Sequence, residues 1–332
     1  MSQTRPMLEA RHLKRYFQIS KKDVLQAVDD VSFEIYEGET LGLVGESGCG
    51  KSTVGNVVMR LLPPTAGKLF YRGKDVFSLN EREGKELRTR MQIIFQDPYS
   101  SLNPRKTVFS ILSEAYRIHG ITDKKEIQRR VHGVCEMVEI PQNLLDHYPH
   151  ELDGSMRQVV GIARALSLSA DFIVCDEPVS SLDVSVQARI VNLLTDIQKQ
   201  KRLSYLFISH DLSVVRHISN RIAVMYLGRI VETAEADVIF KNTMHPYSIA
   251  LLSAVPQIVL DERVHRILLK GDVSSPVNPP PGCRFAPRCW MAEERCFAES
   301  PPLVEVEPGH QAACFYASAA RKRSAQAKKR SL

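Results

Sequence analysis

Residues Gly45-Glu46-Ser47-Gly48-Cys49-Gly50-Lys51-Ser52-Thr53 fit the pattern G-x-x-x-x-G-K-[ST]. A loop of this kind handles phosphate. Its glycines let backbone N–H groups converge on phosphate oxygens, and the helix it opens adds partial positive charge. Lys51 is placed to reach the β and γ phosphates of a nucleotide, and the Ser52 hydroxyl to ligate Mg²⁺. Cys49 occupies a variable loop position and needs no function. Farther along, Phe172-Ile173-Val174-Cys175-Asp176-Glu177 is an apolar run that ends in two carboxylates. Asp176 suits Mg²⁺ held through water, and Glu177 suits polarisation of an attacking water. In phosphoryl transfer the protein mainly positions groups and stabilises charge, so these are the roles required. An isolated Asp-Glu pair would read as surface charge. Its place after a phosphate loop, at the end of a buried strand, reverses that reading.

The cysteines form a second chemical group. Cys49, Cys135 and Cys175 are isolated, whereas Cys283, Cys289, Cys296 and Cys314 follow the spacing C-x5-C-x6-C-x17-C. In a cytosolic enzyme such a cluster favours metal over disulfides. Four thiolates suit a [4Fe–4S] cluster or structural Zn²⁺. No C-x2-C pair of the common zinc modules is present, and the absence of any metal also stays open.

The elements that must carry these residues alternate. Residues 26–44 predict two strands joined by a turn at Glu37-Gly38-Glu39, and a helix from about Lys51 to Leu62 ends at Pro63-Pro64. Residues 67–76 and 91–96 predict further strands, and roughly 98–158 is helical in pattern with a turn at Asn103-Pro104. The helix at about 183–201 places Val186, Ile190, Leu193 or Leu194, and Ile197 on one face. Residues 171–176, 206–208 and 222–225 predict buried strands. Strands alternating with helices indicate an α/β fold with a parallel sheet. Past about residue 240, prolines 276, 279, 280 and 281 and the cysteine group predict an appended small region outside the sheet. With little apolar core, that region would draw stability from a metal centre.

Composition sets the bounds. Of 332 residues, 44% are hydrophobic and 25% charged, as in ordinary globular proteins. Apolar runs such as Ile222–Leu227 are too short to span a bilayer. The opening stretch MSQTRPMLEARHLKRYF lacks the apolar segment of a signal peptide. A soluble protein is expected, with any membrane role coming through partners. The net charge of +6 equals the six basic groups of RKRSAQAKKRSL at the end of the chain. That segment reads as a solvated tail, with weak attraction to anionic headgroups or RNA as the alternative. No basic–aromatic interleaving points to specific nucleic-acid recognition.

Together these residues resemble the ABC transporter ATPases, in order along nearly the whole chain. The resemblance implies a P-loop NTPase (RecA-like) core with an antiparallel β subdomain, a helical subdomain at about 97–158, and a Cys-containing C-terminal extension. The boundaries would be 1–240 for the ATPase domain and 241–332 for the extension and basic tail. Gly45 to Thr53 would bind ATP. Gln96, in Ile93-Ile94-Phe95-Gln96-Asp97-Pro98, resembles the glutamine that senses Mg²⁺ and water and contacts the membrane partner. Ser180-Ser181-Leu182-Asp183 resembles the D-loop. His210, in Phe207-Ile208-Ser209-His210-Asp211, resembles the histidine that contacts the γ-phosphate. Phe17 falls where the family stacks an aromatic ring on adenine, with Tyr16 as the alternative.

PYSSLNPR (98–105), EPVSSLDVSVQA (177–188), HPYSIALLSAVP (245–256) and SPVNPPPGCRFAPRC (275–289) are similar to the di- and oligopeptide importer ATPases, a group that includes nickel and glutathione importers. Homologues of this type bind an iron–sulfur cluster through four cysteines in the extension. The resemblance also implies the remaining partners: a second ATPase subunit, two transmembrane permease subunits and an extracytoplasmic substrate-binding protein, at the cytoplasmic face of a bacterial inner membrane. A soluble ABC protein of translation or DNA repair is the rival class. One P-loop and no heptad arm speak against it.

One motif departs from the family. Leu152-Asp153-Gly154-Ser155-Met156 stands where Leu-Ser-Gly-Gly-Gln is usual. In the family this signature completes the ATP site of the partner subunit, so Asp153 and Ser155 would sit near a γ-phosphate. Asp is a good helix N-cap, so the local fold should survive. A carboxylate about 4 Å from a phosphate charge costs on the order of 4 kcal/mol at an effective dielectric near 20. An asymmetric heterodimer is therefore expected, with one impaired composite site.

Overall fold

The computed structural model describes residues 5–254, 267–269, 271 and 274–320. The basic tail lies outside them. The chain divides into two compact units. The first gathers Pro6–Glu34, Thr40–Phe77 and the chain from Ser209 onward, and the second gathers Ile35–Glu39 and Ser78–Ile208.

The chain enters through β1 (Leu8–Gln18) and β2 (Val24–Ile35), then β3 (Thr40–Val44), all five residues of which are buried. The phosphate loop follows and opens α1 (Lys51–Val58). Four residues shorter than the sequence predicts, α1 gives way to a turn in which Leu61 and Leu62 both donate to the Asn56 carbonyl. The coming Pro63 disfavours helical backbone at the residue before it. Next come β4 (Ala66–Tyr71) and β5 (Lys74–Asp75), and the four-stranded order β2-β1-β4-β5 results. β4 runs antiparallel to both β1 and β5, matching the antiparallel β subdomain expected.

The second unit holds α2 (Glu81–Arg90), β6 (Met91–Ile94), α3 (Pro98–Ser101), α4 (Val108–Ile118), α5 (Lys124–Met137), α6 (Gly154–Leu166), β7 (Phe172–Asp176), α7 (Val184–Lys201) and β8 (Ser204–Ser209). β6, β7 and β8 pair in parallel, and β7 and β8 are buried along their whole length, as apolar runs between crossover helices should be. The apolar face of α7 buries Ile190, Val191, Leu194 and Ile197. α4 packs on α5 and α6, so the helical stretch forms its own layer.

The first unit resumes with α8 (Leu212–Ile218), β9 (Arg221–Tyr226), β10 (Arg229–Glu235), α9 (Ala236–Asn242) and α10 (Pro246–Ser253). β3 pairs in parallel with β9, and β9 antiparallel with β10. The extension then adds α11 (Glu294–Ala298), β11 (Val304–Glu307) and β12 (His310–Ala312). Here the expectation of a region outside the sheet is corrected. β12 pairs antiparallel with β10, placing Ala312 opposite Glu232, and β11 pairs with β12. The join is reinforced by Glu232, which is wholly buried; its carboxylate accepts from His310 Nε2 at 2.8 Å and from the N–H groups of Met244 and His245 at 2.7 and 3.0 Å.

Candidate active site

The residues singled out from the sequence divide between the units. Phe17, the phosphate loop, His210 and the four clustered cysteines belong to the first. Gln96, Asp153, Gly154, Ser155, Asp176, Glu177 and Asp183 belong to the second.

The phosphate loop leaves β3 and reaches α1 through two strained glycines. Gly45 has φ 156° and Gly50 has φ 104°. A Cβ at Gly50 would run into the Ala27 carbonyl oxygen, and one at Gly45 into that of Met225. Close backbone packing thus demands glycine at both positions. Ser47 and Gly48 are exposed at the tip. Lys51, only 4% exposed, donates from Nζ to the carbonyl oxygens of Gly45 at 2.9 Å and Glu46 at 3.0 Å. Its ammonium is thereby held over the loop, at the start of a helix where anions are favoured. Ser52 and Thr53 lie on the first turn of α1. Burial pushes the Cys49 thiol up, which disfavours its thiolate.

Phe17 and Tyr16 alternate on β1, and the structure separates them. Tyr16 donates its hydroxyl to Asp29 Oδ1 at 2.5 Å, committing it to a polar cluster beneath the strand. Phe17 lies on the opposite face, half-buried, with the Arg15 guanidinium 4.4 Å from its ring centre. His210 follows β8 and is exposed, and the next residue, Asp211, caps α8 through the N–H groups of Ser213 and Val214.

In the second unit, Asp176 and Glu177 end β7 and are buried at 6% and 9% exposure. Glu177 has φ 44°, a left-handed backbone unusual for this residue type. It is held there by its own N–H to Ile208 O at 2.9 Å and by the Ser180 N–H and hydroxyl on its carbonyl. Strain of this kind clusters at functional sites. Gln96 Nε2 donates to Glu177 Oε2 at 3.0 Å, so two predicted site residues 81 positions apart meet. Asp183 is the N-cap residue of α7, exposed, with Val184 81% exposed beside it.

Asp153 is the N-cap of α6, as expected. Its Oδ1 accepts from the Met156 N–H at 2.7 Å and from the Ser155 hydroxyl at 2.6 Å. These two bonds hold its carboxyl below the usual range, so it is charged at neutral pH. Asp153 and Ser155 thus satisfy each other at the helix start.

Cys283, Cys289, Cys296 and Cys314 line one partly enclosed pocket, alongside His245, Phe285 and Met291. Burial pushes the thiols of Cys283, Cys289 and Cys314 up, to about 11 at Cys289 and about 12 at Cys314. Backbone N–H groups nonetheless aim at sulfur, from Met291 to Cys289 Sγ and from Tyr316 to Cys314 Sγ, each at 3.4 Å. Sulfur-directed N–H groups are a feature of iron–sulfur ligation. Among the described residues no group of three or more His, Cys, Asp or Glu is arranged to hold a metal ion.

Sequence reasoning assigned no role to Tyr247, Arg284 or Arg288. Glu46 donates its N–H to the Tyr247 hydroxyl at 2.9 Å, and its carboxylate receives Arg288. Arg284 reaches Asp29 Oδ2 at 2.6 Å and Gln26 Oε1 at 2.5 Å. Both arginines lie in SPVNPPPGCRFAPRC, where the cysteines drew attention and the arginines between them carried the contacts. Among the described residues no helix is long and apolar enough to cross a membrane.

Comparison with known proteins agrees with this geometry. Residues 28–180 match the model for the ABC transporter family, and residues 231–296 match that for the oligopeptide/dipeptide transporter C-terminal region. YkfD of Bacillus subtilis is 51% identical over 312 residues, covering 93% of this chain and 95% of that protein. The dipeptide transport ATP-binding protein DppF of Haemophilus influenzae is 47% identical over 317 residues, covering 94% and 97%. Among solved structures, the dimeric post-hydrolysis cassette MJ0796 bound to ADP and Pi matches with a TM-score of 0.63 and 25% identity, over 69% of this chain and 99% of that one. With a phosphate loop, a buried Asp-Glu pair met by Gln96, and near-full-length relatives at half identity, the chain belongs to the ABC transporter ATPases, in the group that carries the oligopeptide/dipeptide transporter C-terminal region.

Proposed function

We propose that this chain is the ATP-hydrolysing subunit of a bacterial importer of di- and oligopeptides. The observation that carries the reading is similarity over 94% of the chain to a dipeptide transport ATP-binding protein, with the C-terminal extension included. The subunit works at the cytoplasmic face of the inner membrane with two permeases, a second ATPase and an extracytoplasmic binding protein.

In this reading the Gly45–Thr53 backbone and Lys51 hold the triphosphate, and Phe17 packs on the adenine. Mg²⁺ falls to Ser52, Asp176 and Gln96. Glu177 orients the attacking water and His210 contacts the γ-phosphate. Asp183 and the signature face the second ATPase. Because Asp153 carries charge at the helix start, the composite site built on this signature turns over slowly, and the one built on this chain's own phosphate loop does the work.

The four-cysteine pocket is read as the seat of a [4Fe–4S] cluster held by Cys283, Cys289, Cys296 and Cys314, with Zn²⁺ as the competing occupant. A bound cluster would cross-link these segments and add to the stability of the extension. Stoichiometric iron and sulfide with a broad visible absorbance in anaerobically prepared protein supports the cluster. A colourless preparation containing zinc rejects it.

The transport reading is tested in proteoliposomes containing the four membrane-associated subunits and the binding protein. ATP-driven uptake of labelled di- to hexapeptides is expected. Uptake of nickel or glutathione without peptide overturns the assignment.

A further inference from the structure

Glu46 is gripped by the extension at two points. Its backbone N–H donates to the hydroxyl of Tyr247, a fully buried residue of α10. Its carboxylate takes the Arg288 guanidinium: Nη1 lies 2.9 Å from Oε2 and 3.3 Å from Oε1, and Nη2 lies 3.4 Å from Oε1. The Arg288 side chain is 9% exposed and Glu46 27%. Arg288 also donates to the Tyr226 hydroxyl at 3.4 Å. Phe285, three residues earlier, packs its ring 5.5 Å from Tyr247 and edge-on 5.3 Å from Tyr226. This aromatic group fixes both contacts.

The other end of the same residue is also engaged. The Glu46 carbonyl accepts from Lys51 Nζ at 3.0 Å. Tyr247 therefore holds the N–H of the residue whose carbonyl holds the phosphate-loop lysine. The carboxylate poses a separate problem. A negative side chain on a loop that must receive a triphosphate repels it, and only a partner of opposite charge removes that cost. Arg288 is that partner.

We propose that Arg288 and Tyr247 are positioning residues of the phosphate loop, so that the C-terminal extension sets the affinity for ATP. Tyr247 fixes the Glu46 backbone, and Arg288 cancels the Glu46 charge beside the triphosphate. The proposal rests on the reading of residues 45–53 as the ATP phosphate site.

The test titrates a ribose-labelled fluorescent ATP analogue with Mg²⁺ into the purified full-length chain. Arg288→Met should weaken binding about tenfold, the scale of a lost charge-assisted contact. Adding Glu46→Gln to that variant should return the Kd to within about threefold of wild type, because the charge that Arg288 cancels is then gone. Tyr247→Phe should weaken binding by about threefold through the lost acceptor. A merely structural arginine would not be rescued at Glu46. Wild-type affinity in a folded Arg288→Met protein overturns the proposal, and so does a double variant as weak as the single one. Should Arg288→Met fail to fold, Arg288→Gln, which is polar but uncharged, is read by the same titration: about tenfold weaker binding is expected, and a wild-type Kd overturns the proposal. Lys51→Ala separates the two readings. If it retains wild-type affinity, the phosphate-site reading itself fails. If it abolishes binding while Arg288→Met does not change it, only the role of the extension fails.

Discussion

Gln96 donates its side-chain amide to Glu177 at 3.0 Å, and Glu177 holds the far end of that contact from a left-handed backbone at the tip of β7. The amide thus fixes the direction of the carboxylate assigned to the attacking water. Glu177→Gln keeps length and shape and removes the acceptor charge. ATPase turnover of the assembled transporter should fall at least about 100-fold while ATP binding is retained, the usual weight of a positioned general base. Turnover by steady-state phosphate release, alongside nucleotide titration, checks both halves. Gln96→Ala should give a smaller loss of turnover, since Glu177 keeps its charge, and should raise the Mg²⁺ concentration needed for half-maximal turnover, since one of its proposed contacts is gone.

The signature of α6 yields a gain-of-function test. Asp153→Ser combined with Ser155→Gly restores the usual sequence at these two positions and keeps a good N-cap, so the melting temperature should move little. Turnover of the complex should rise as the second composite site becomes competent. Asp153→Ala, which has no capping oxygen, should cost about 1 kcal/mol of stability. Unchanged turnover in the restored variant would count against an asymmetric pair. So would equal losses from Glu177→Gln here and the matching change in the partner ATPase.

Most of the candidate site residues were legible because the patterns that mark them are local. A phosphate loop needs a strand before it and a helix after it, and all three lie in one stretch, Thr40–Val58. The Asp153 cap was legible for the same reason. Contacts that join distant segments were not. Arg288 and Glu46 are 242 positions apart, and nothing in either local pattern marks the other. β12 is three residues long, too short for alternation to reveal, and its place in the sheet is fixed by the buried Glu232–His310 pair. The left-handed backbone of Glu177 was equally hidden, since it is imposed by Ile208 and Ser180.

Two glycines of the phosphate loop should respond differently to the same change. Gly48 has φ 77° with nothing within 4 Å of a built Cβ, whereas a Cβ at Gly50 meets the Ala27 carbonyl. Gly48→Ala then carries only the backbone cost of about 1–2 kcal/mol. Gly50→Ala must also displace β2 or the loop, so ATP binding should be lost. Nucleotide titration of the two variants separates a torsional cost from a steric one.

Asp29 anchors the face of β1 opposite Phe17. Its carboxylate, 4% exposed, receives Tyr16 at 2.5 Å, Arg229 Nε at 2.8 Å and Arg284 Nη2 at 2.6 Å. Burial alone would raise its pKa, but the hydrogen bonds from Tyr16 and Arg229 and the two guanidinium charges hold it below the ordinary carboxylate value. A depressed carboxyl stabilises the fold in full above its unfolded pKa of about 3.9, and that stability is lost as pH falls through the lower folded value. Tyr16 works at the other limb: burial and then its bond to Asp29 push the phenol up to about 12. Its contribution is intact below about pH 10 and is lost as pH rises toward 12. Asp29→Asn leaves two guanidinium groups without their counter-charge and should cost about 3–5 kcal/mol at neutral pH. Its melting temperature should also vary less between pH 5 and 2 than that of the wild type. Tyr16→Phe should flatten the alkaline limb and, with one donor gone, start the acid loss at higher pH. Thermal melts of the three proteins across pH check each limb. A wild-type acid profile in Asp29→Asn would show that other carboxylates govern the loss.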